Sequence, residues 1–147
     1  FKCCIGKKGS TNNKKEGDKK TPKGTFNIEN LYFRKDRIKK PLTSLKCIEI
    51  KKNMGWCDDI CFPKKYNKLI KTVKKIKHEK LFRKDYKYDF MIPINYNSKR
   101  IKLGKGSAIF LHLTKNFNST LGCVAIKKKD FLILLKLINK KTKIRLT

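Results

Sequence analysis

A thiol and an imidazole stand near each other in the last third of the chain. His112 closes the segment Ser107-Ala108-Ile109-Phe110-Leu111-His112, and Cys123 lies in Thr120-Leu121-Gly122-Cys123-Val124-Ala125. These are the two parts of a cysteine nucleophile, in which the imidazole takes the thiol proton and the sulfur attacks an electrophilic carbon. A free thiol has a pKa of about 8.5, and a neighbouring imidazolium lowers it by several units. Taken singly, Cys123 reads as a buried free cysteine and His112 as a hydrogen-bonded core histidine. The argument for chemistry rests on the pair.

The pair needs elements that bring both groups to one place. From Ala108 to Leu113, Ile109, Leu111 and Leu113 alternate with Ala108, Phe110 and His112. On a strand, alternate side chains point to opposite faces, so His112 and Phe110 turn away from the aliphatic layer. After Gly122, Val124 and Ile126 fall on one face, and Cys123 and Ala125 on the other. Upstream, Gly6, Gly9, Gly17, Pro22-Lys23-Gly24, Pro41, Gly55 and Pro63 punctuate the chain at short intervals. Between them sit short β-type runs at Thr25–Ile28, Leu31–Phe33 and Lys46–Ile50, followed later by Tyr88–Ile92. Short strands between turn signals predict a mainly β fold, a sandwich or barrel-like domain with one or two short helices. Asp130 is the expected N-cap of a helix over Phe131–Leu137, with Phe131, Leu134, Leu135 and Ile138 at helical spacing. Leu69, Val73 and Ile76 also repeat at near-helical spacing.

The chain has 147 residues, enough for one domain over 1–147 that buries roughly 70% of its unfolded surface. No apolar run approaches the roughly 20 residues of a transmembrane segment. The chain begins at Phe1-Lys2-Cys3-Cys4-Ile5 as though in mid-strand, and upstream residues, with a signal sequence, are expected to precede it. The formal charge is +29, which favours polyanions such as nucleic acid, an acidic wall polymer or an anionic membrane surface. Of 40 basic residues only five are arginine, and the lysines are scattered. Bidentate base reading relies on arginine. A solvated lysine surface with non-specific polyanion affinity, and no specific nucleic acid, is therefore the expectation. Six cysteines, two histidines and no Cys-x-x-Cys pair do not make a zinc site, so no metal is expected. Cys57 and Cys61 could close a small disulfide loop, or, with Cys3, Cys4 and Cys47, could be small buried thiols.

Three blocks carry a family resemblance. His112 through Thr120-Leu121-Gly122-Cys123-Val124 resembles the catalytic motif of the L,D-transpeptidase (YkuD-type) domain. Glu16-Gly17-Asp18 followed by Thr21-Pro22-Lys23-Gly24 resembles a second segment of that family, although the residues alone read as turn scaffold. Gly55-Trp56-Cys57-Asp58-Asp59, with His78-Glu79 after it, resembles a bacterial branch, and over Leu69 to Ile76 the resemblance points to irregular or extended chain instead of a helix. Thr120 stands where many relatives have Ser, and Ala125 where many have Arg or Asn. The resemblance implies that Cys123 attacks the carbonyl between the third and fourth residues of a peptidoglycan stem tetrapeptide. His112 then handles the proton, and the backbone N–H groups of Gly122 and Cys123 receive the oxyanion. Thr120, Phe110, Trp56, Asp59 and His78 are the candidate substrate-binding or orienting residues, Trp56 and the carboxylates for a sugar or a cationic diamino acid. The resemblance further implies no cofactor, a bacterial periplasmic or cell-envelope location, and action as a monomer. A hydrolytic relative with the same site, an L,D-carboxypeptidase or peptidase, is the alternative. Another is a non-enzymatic basic protein that holds an anionic polymer or nucleic acid.

Overall fold

The alternating segments assemble into one six-stranded sheet in a computed structural model that describes residues 1–147. In chain order the strands are β1 (Cys3–Cys4), β2 (Ser10–Thr11), β3 (Thr21–Pro22), β4 (Gly24–Asn27), β5 (Leu31–Phe33), β6 (Cys47–Glu49) and β7 (Met54–Cys57). They continue as β8 (Leu69–Lys71), β9 (His78–Lys80), β10 (Phe90–Pro93), β11 (Phe110–Thr114) and β12 (Val124–Lys127), then helix α1 (Lys128–Leu137) and β13 (Lys143–Leu146). The large sheet runs β1-β12-β11-β10-β5-β6, and three smaller sheets pair β13 with β4, β2 with β3, and β8-β7-β9. The fold is thus mainly β with one helix. The sheets remain separate and close no barrel.

Alternation divides the core into two layers. Leu31, Phe33, Phe90, Ile92, Leu111, Leu113, Val124 and Ile126 point to one side, where α1 covers them with Phe131, Leu135 and Ile138. Tyr32, Met91 and Phe110 point to the other, where Trp56, Leu81 and Tyr88 meet them. Fully burying each large side chain contributes about 1.5–3 kcal/mol, which makes both layers strong determinants of the fold. Phe90 and Phe131 stack with centroids 5.7 Å apart, fixing the helix on the first layer.

One helical expectation needs correction. Asp130 is not the N-cap: α1 starts at Lys128 directly from β12, and the capping position is Lys127, which offers no side-chain cap. Asp130 sits in the first turn, where its charge still suits the helix dipole. Leu69, Val73 and Ile76 do not share a helix; Leu69 opens β8, and a turn follows. Of the three only Ile76 is buried, while Leu69 and Val73 are exposed, so they form no common apolar face.

β11 and β12 are parallel neighbours, paired as Leu111 with Val124 and His112 with Ala125. Parallel strands usually need a crossover of a dozen or more residues. Here residues 115–123 suffice, and this tight crossover ends at Cys123.

Candidate active site

The register places the thiol. Because Val124 lies opposite Leu111, Cys123 comes opposite Phe110, one same-face step before His112. Phe110 N–H points at Cys123 Sγ at 3.4 Å, and the thiol donates to Ala108 O at 3.2 Å. Cys123 and His112 both line a cavity of about 640 Å³. The structure therefore brings the two candidate catalytic groups to one wall, with the resting thiol directing its proton at Ala108 O. Ala125, paired with His112, lines the same wall and leaves room beside the imidazole.

The electrostatics run opposite to an activated thiolate. Burial pushes the Cys123 thiol up to about 12. Burial first, then the charges of Lys87 and Arg83, pulls His112 down to about 4, against the pull of the Leu113 carbonyl. Both groups are neutral at rest, which corrects the expectation of a thiol lowered by a neighbouring imidazolium. His112 Nδ1 lies 3.0 Å from Leu113 O, so Nδ1 carries the proton and Nε2 is left as the basic nitrogen. The His112 ring meets Tyr88 edge-on at 5.3 Å, and Tyr88 Oη donates to Glu79 Oε1 at 2.9 Å. Arg83 binds the same Glu79 oxygen and clamps Asp85 with two further bonds.

The turn that presents Cys123 is held from several sides. Thr120 Oγ1 donates to Cys123 O at 2.7 Å and accepts from Gly122 N–H at 3.1 Å. Gly122 N–H is thus already committed, which leaves Cys123 N–H as the backbone candidate for an oxyanion. Thr21 Oγ1, fully buried, accepts from Gly6 N–H and donates to Gly122 O. Gly122 has φ of +140°, and a Cβ there would lie 2.9 Å from Lys20 O. Only glycine fits that approach without a shift. Ala108 is also left-handed, with φ of +52°, a conformation costing on the order of 1 kcal/mol or more. Its N–H is tied to Asn67 Oδ1, which also accepts from Trp56 Nε1.

The remaining expected residues divide by face. Trp56 pairs with Glu79, and Cys57 with His78, so Glu79 shares the side of Trp56. Continuing the period of two, Asp58 joins that side. Glu79 and Asp58 line the cavity. His78 packs its ring over Gly55 and holds Ile76 O, while Asp59 accepts from Cys61 N–H and Lys77 N–H. Neither reaches the cavity wall. Trp56 and Phe110 are buried edge-to-face against each other beneath it, because their aromatic surface fills the second core layer. They support the floor rather than meet a ligand. Thr120 does line the cavity.

Two lining residues, Glu16 and Lys14, were not singled out by sequence as site residues. Glu16, in a segment read as scaffold, receives Tyr66 Oη and Ser107 Oγ on its Oε2. Lys14 is buried against Asp18 beside it. Asp58 Oδ1 is buried and accepts no hydrogen bond, and burial raises its carboxyl above the ordinary range. All six cysteines are unpaired; Cys4 and Cys57 are buried, and Cys3 and Cys61 are exposed.

This is a mainly β domain carrying a thiol–imidazole pair on one cavity wall. The family model of the YkuD L,D-transpeptidase catalytic domain matches residues 1–146, and the chain belongs to that family. No curated protein and no solved structure gives a significant match. The family is one of L,D-transpeptidase-type enzymes acting on peptidoglycan peptides of the cell wall. No helix is long and apolar enough to cross a membrane.

Proposed function

We propose that the protein is a cysteine-dependent L,D-transpeptidase that cleaves peptidoglycan stem tetrapeptides and transfers the acyl group to an amine. The observation that carries this reading is that Cys123 and His112 line one cavity in a chain of this family. The substrate carbonyl approaches Sγ, and as the S–C bond forms the thiol proton passes to His112 Nε2. Because both groups are neutral at rest, proton transfer and attack proceed together rather than from a standing ion pair. The oxyanion is received by Cys123 N–H. Collapse breaks the C–N bond, and the imidazolium proton leaves with the D-amino acid. An amine then attacks the thioester and gives a proton to Nε2, and the departing sulfur recovers it.

Water in place of the amine would make a carboxypeptidase. We read the acceptor as an amine. The cavity charges are mixed, with Glu16, Asp58 and Glu79 set among Lys14, Lys77, Arg83 and Lys87. Asp58 Oδ1, buried and accepting no hydrogen bond, is the carboxylate oxygen placed to take an ammonium group. Such a reaction places the enzyme in a bacterial cell envelope, working as a monomer without metal or cofactor.

The test is mass spectrometry of products from a disaccharide-tetrapeptide muropeptide, with Cys123→Ala as control. Cross-linked dimers that vanish in the control are expected. Tripeptide alone would make the enzyme a hydrolase, and no product with no thioester on Cys123 would sink both readings.

A further inference from the structure

Helix α1 has one face in the core and one without a partner. Phe131 and Leu135 are buried, and Ile138 is buried at the C-terminal cap. At 3.6 residues per turn, Leu132, Ile133 and Leu137 fall on the outer arc together with Lys129 and Lys136. Leu132, Ile133 and Leu137 are 36%, 48% and 72% exposed. Ile133 and Leu137 adjoin at i, i+4, as do Lys129 and Ile133. Ser44 Oγ donates to Ile138 O at 2.9 Å, which ties the segment carrying Leu42, itself 78% exposed, to the helix's C-terminal end.

Charge selects the occupant of this face. From Lys127 to Thr147 eight residues are basic and only Asp130 is acidic. A partner must be apolar where the aliphatic side chains enter and negative where the lysines reach. A nucleic acid or an acidic polymer answers the lysines alone. An anionic bilayer answers both.

We propose that the outer face of α1 docks on an anionic lipid surface. Ten residues make a helix about 15 Å long, far too short to span, so it lies in the interface plane. Leu132, Ile133 and Leu137 enter the acyl boundary, while Lys129 and Lys136 extend their stems along it and place their ammonium groups among the phosphates. The net charge of +29 gathers the molecule to the surface before the apolar contacts form. Orientation follows from the two core layers. α1 covers the side of the sheet opposite Phe110 and Cys123. A docked molecule therefore turns the cavity away from the lipid.

The test separates the apolar contacts from charge. Wild type and the triple variant Leu132→Ser/Ile133→Ser/Leu137→Ser, which have equal charge, are co-sedimented with phosphatidylethanolamine vesicles containing about a third phosphatidylglycerol. Wild type is expected to sediment with these and not with phosphatidylcholine vesicles. The triple variant is expected to lose roughly tenfold or more in affinity, while its retention on heparin is unchanged. A second readout does not depend on how well the triple variant folds. Leu137→Trp should show blue-shifted emission on anionic vesicles, since Trp56 is buried and contributes a constant background. Equal sedimentation of wild type and triple variant, an unshifted Leu137→Trp, or binding to heparin alone would overturn the proposal and leave a purely electrostatic surface. Cys123→Ala should bind vesicles as wild type does, so loss of enzymatic activity and loss of docking are read separately.

Discussion

Cys123 and His112 occupy surroundings that disfavour their charged forms, and each leaves its own mark on pH dependence. With the thiol pushed up to about 12 by burial, alkylation of Cys123 by iodoacetamide in the free protein should be slow near neutral pH. It should keep rising into the alkaline range, followed by mass spectrometry of the modified peptide. A plateau near pH 7 would contradict the neutral resting pair. For His112 the folded value of about 4 lies below the ordinary value of 6.5. Between those values the unfolded chain binds more protons, so stability is full above about pH 6.5 and is lost as pH falls toward 4. The loss is on the order of 3 kcal/mol. Urea unfolding between pH 4.5 and 7 should show it. His112→Gln, which cannot titrate there, should flatten that part of the profile. Asp58 contributes the opposite slope, since its raised carboxyl favours the protonated, low-pH form.

At the scale of elements, the turn before β12 is where small changes should have large effects. Thr21→Val removes the hydroxyl that joins Gly6 N–H to Gly122 O and leaves both buried backbone groups without it. A cost of about 1–3 kcal/mol is expected in chemical denaturation, with a larger proportional loss of thioester formation because the nucleophile turn is displaced. Equal acylation in Thr21→Val and wild type would show that the turn holds without this tie. Phe131→Ala, which empties the contact between α1 and the first core layer, should cost about 3–5 kcal/mol by the same measurement. How far the fold could be read from sequence varies by element for physical reasons. β11 alternates aliphatic residues with Phe110 and His112 because it separates two core layers, and the sides of His112 and, through the same alternation after Gly122, of Cys123 follow from it. β7 was not legible, since Met54-Gly55-Trp56-Cys57 has no polar alternate and a glycine that admits the His78 ring. Within the paired carboxylates Asp58 and Asp59 and the block His78-Glu79, the sequence pointed to Asp59 and His78 as site residues, whereas Asp58 and Glu79 are the ones that line the cavity. Composition cannot fix that phase. The pairing of Trp56 with Glu79 does, and it depends on a partner strand distant in sequence.

Across the whole molecule, charge is the dominant unbalanced quantity. The ion pairs engage Lys14, Arg34, Lys35, Arg37, Lys77 and Arg83, six of the 40 basic residues. The rest repel one another, and more strongly in the compact fold than in the expanded chain. Salt should therefore stabilise this protein. Moving from about 0.02 M to about 0.5 M NaCl shortens the Debye length from roughly 20 Å to about 4 Å, so interactions between exposed charges farther apart than that are largely screened. The short, partly buried pairs Lys14–Asp18 and Arg83–Asp85 are screened far less than this long-range repulsion. The expected result is a Tm that rises by several degrees with NaCl. A matched rise in sodium sulfate at equal ionic strength would combine screening with the general stabilising effect of that anion, so chloride is the cleaner probe. A Tm that is flat or falls with NaCl would mean that local ion pairs outweigh net repulsion despite their small number. The same screening should release the protein from heparin without altering Cys123 chemistry on an uncharged thioester substrate. That contrast separates what the lysine surface does from what the cavity does.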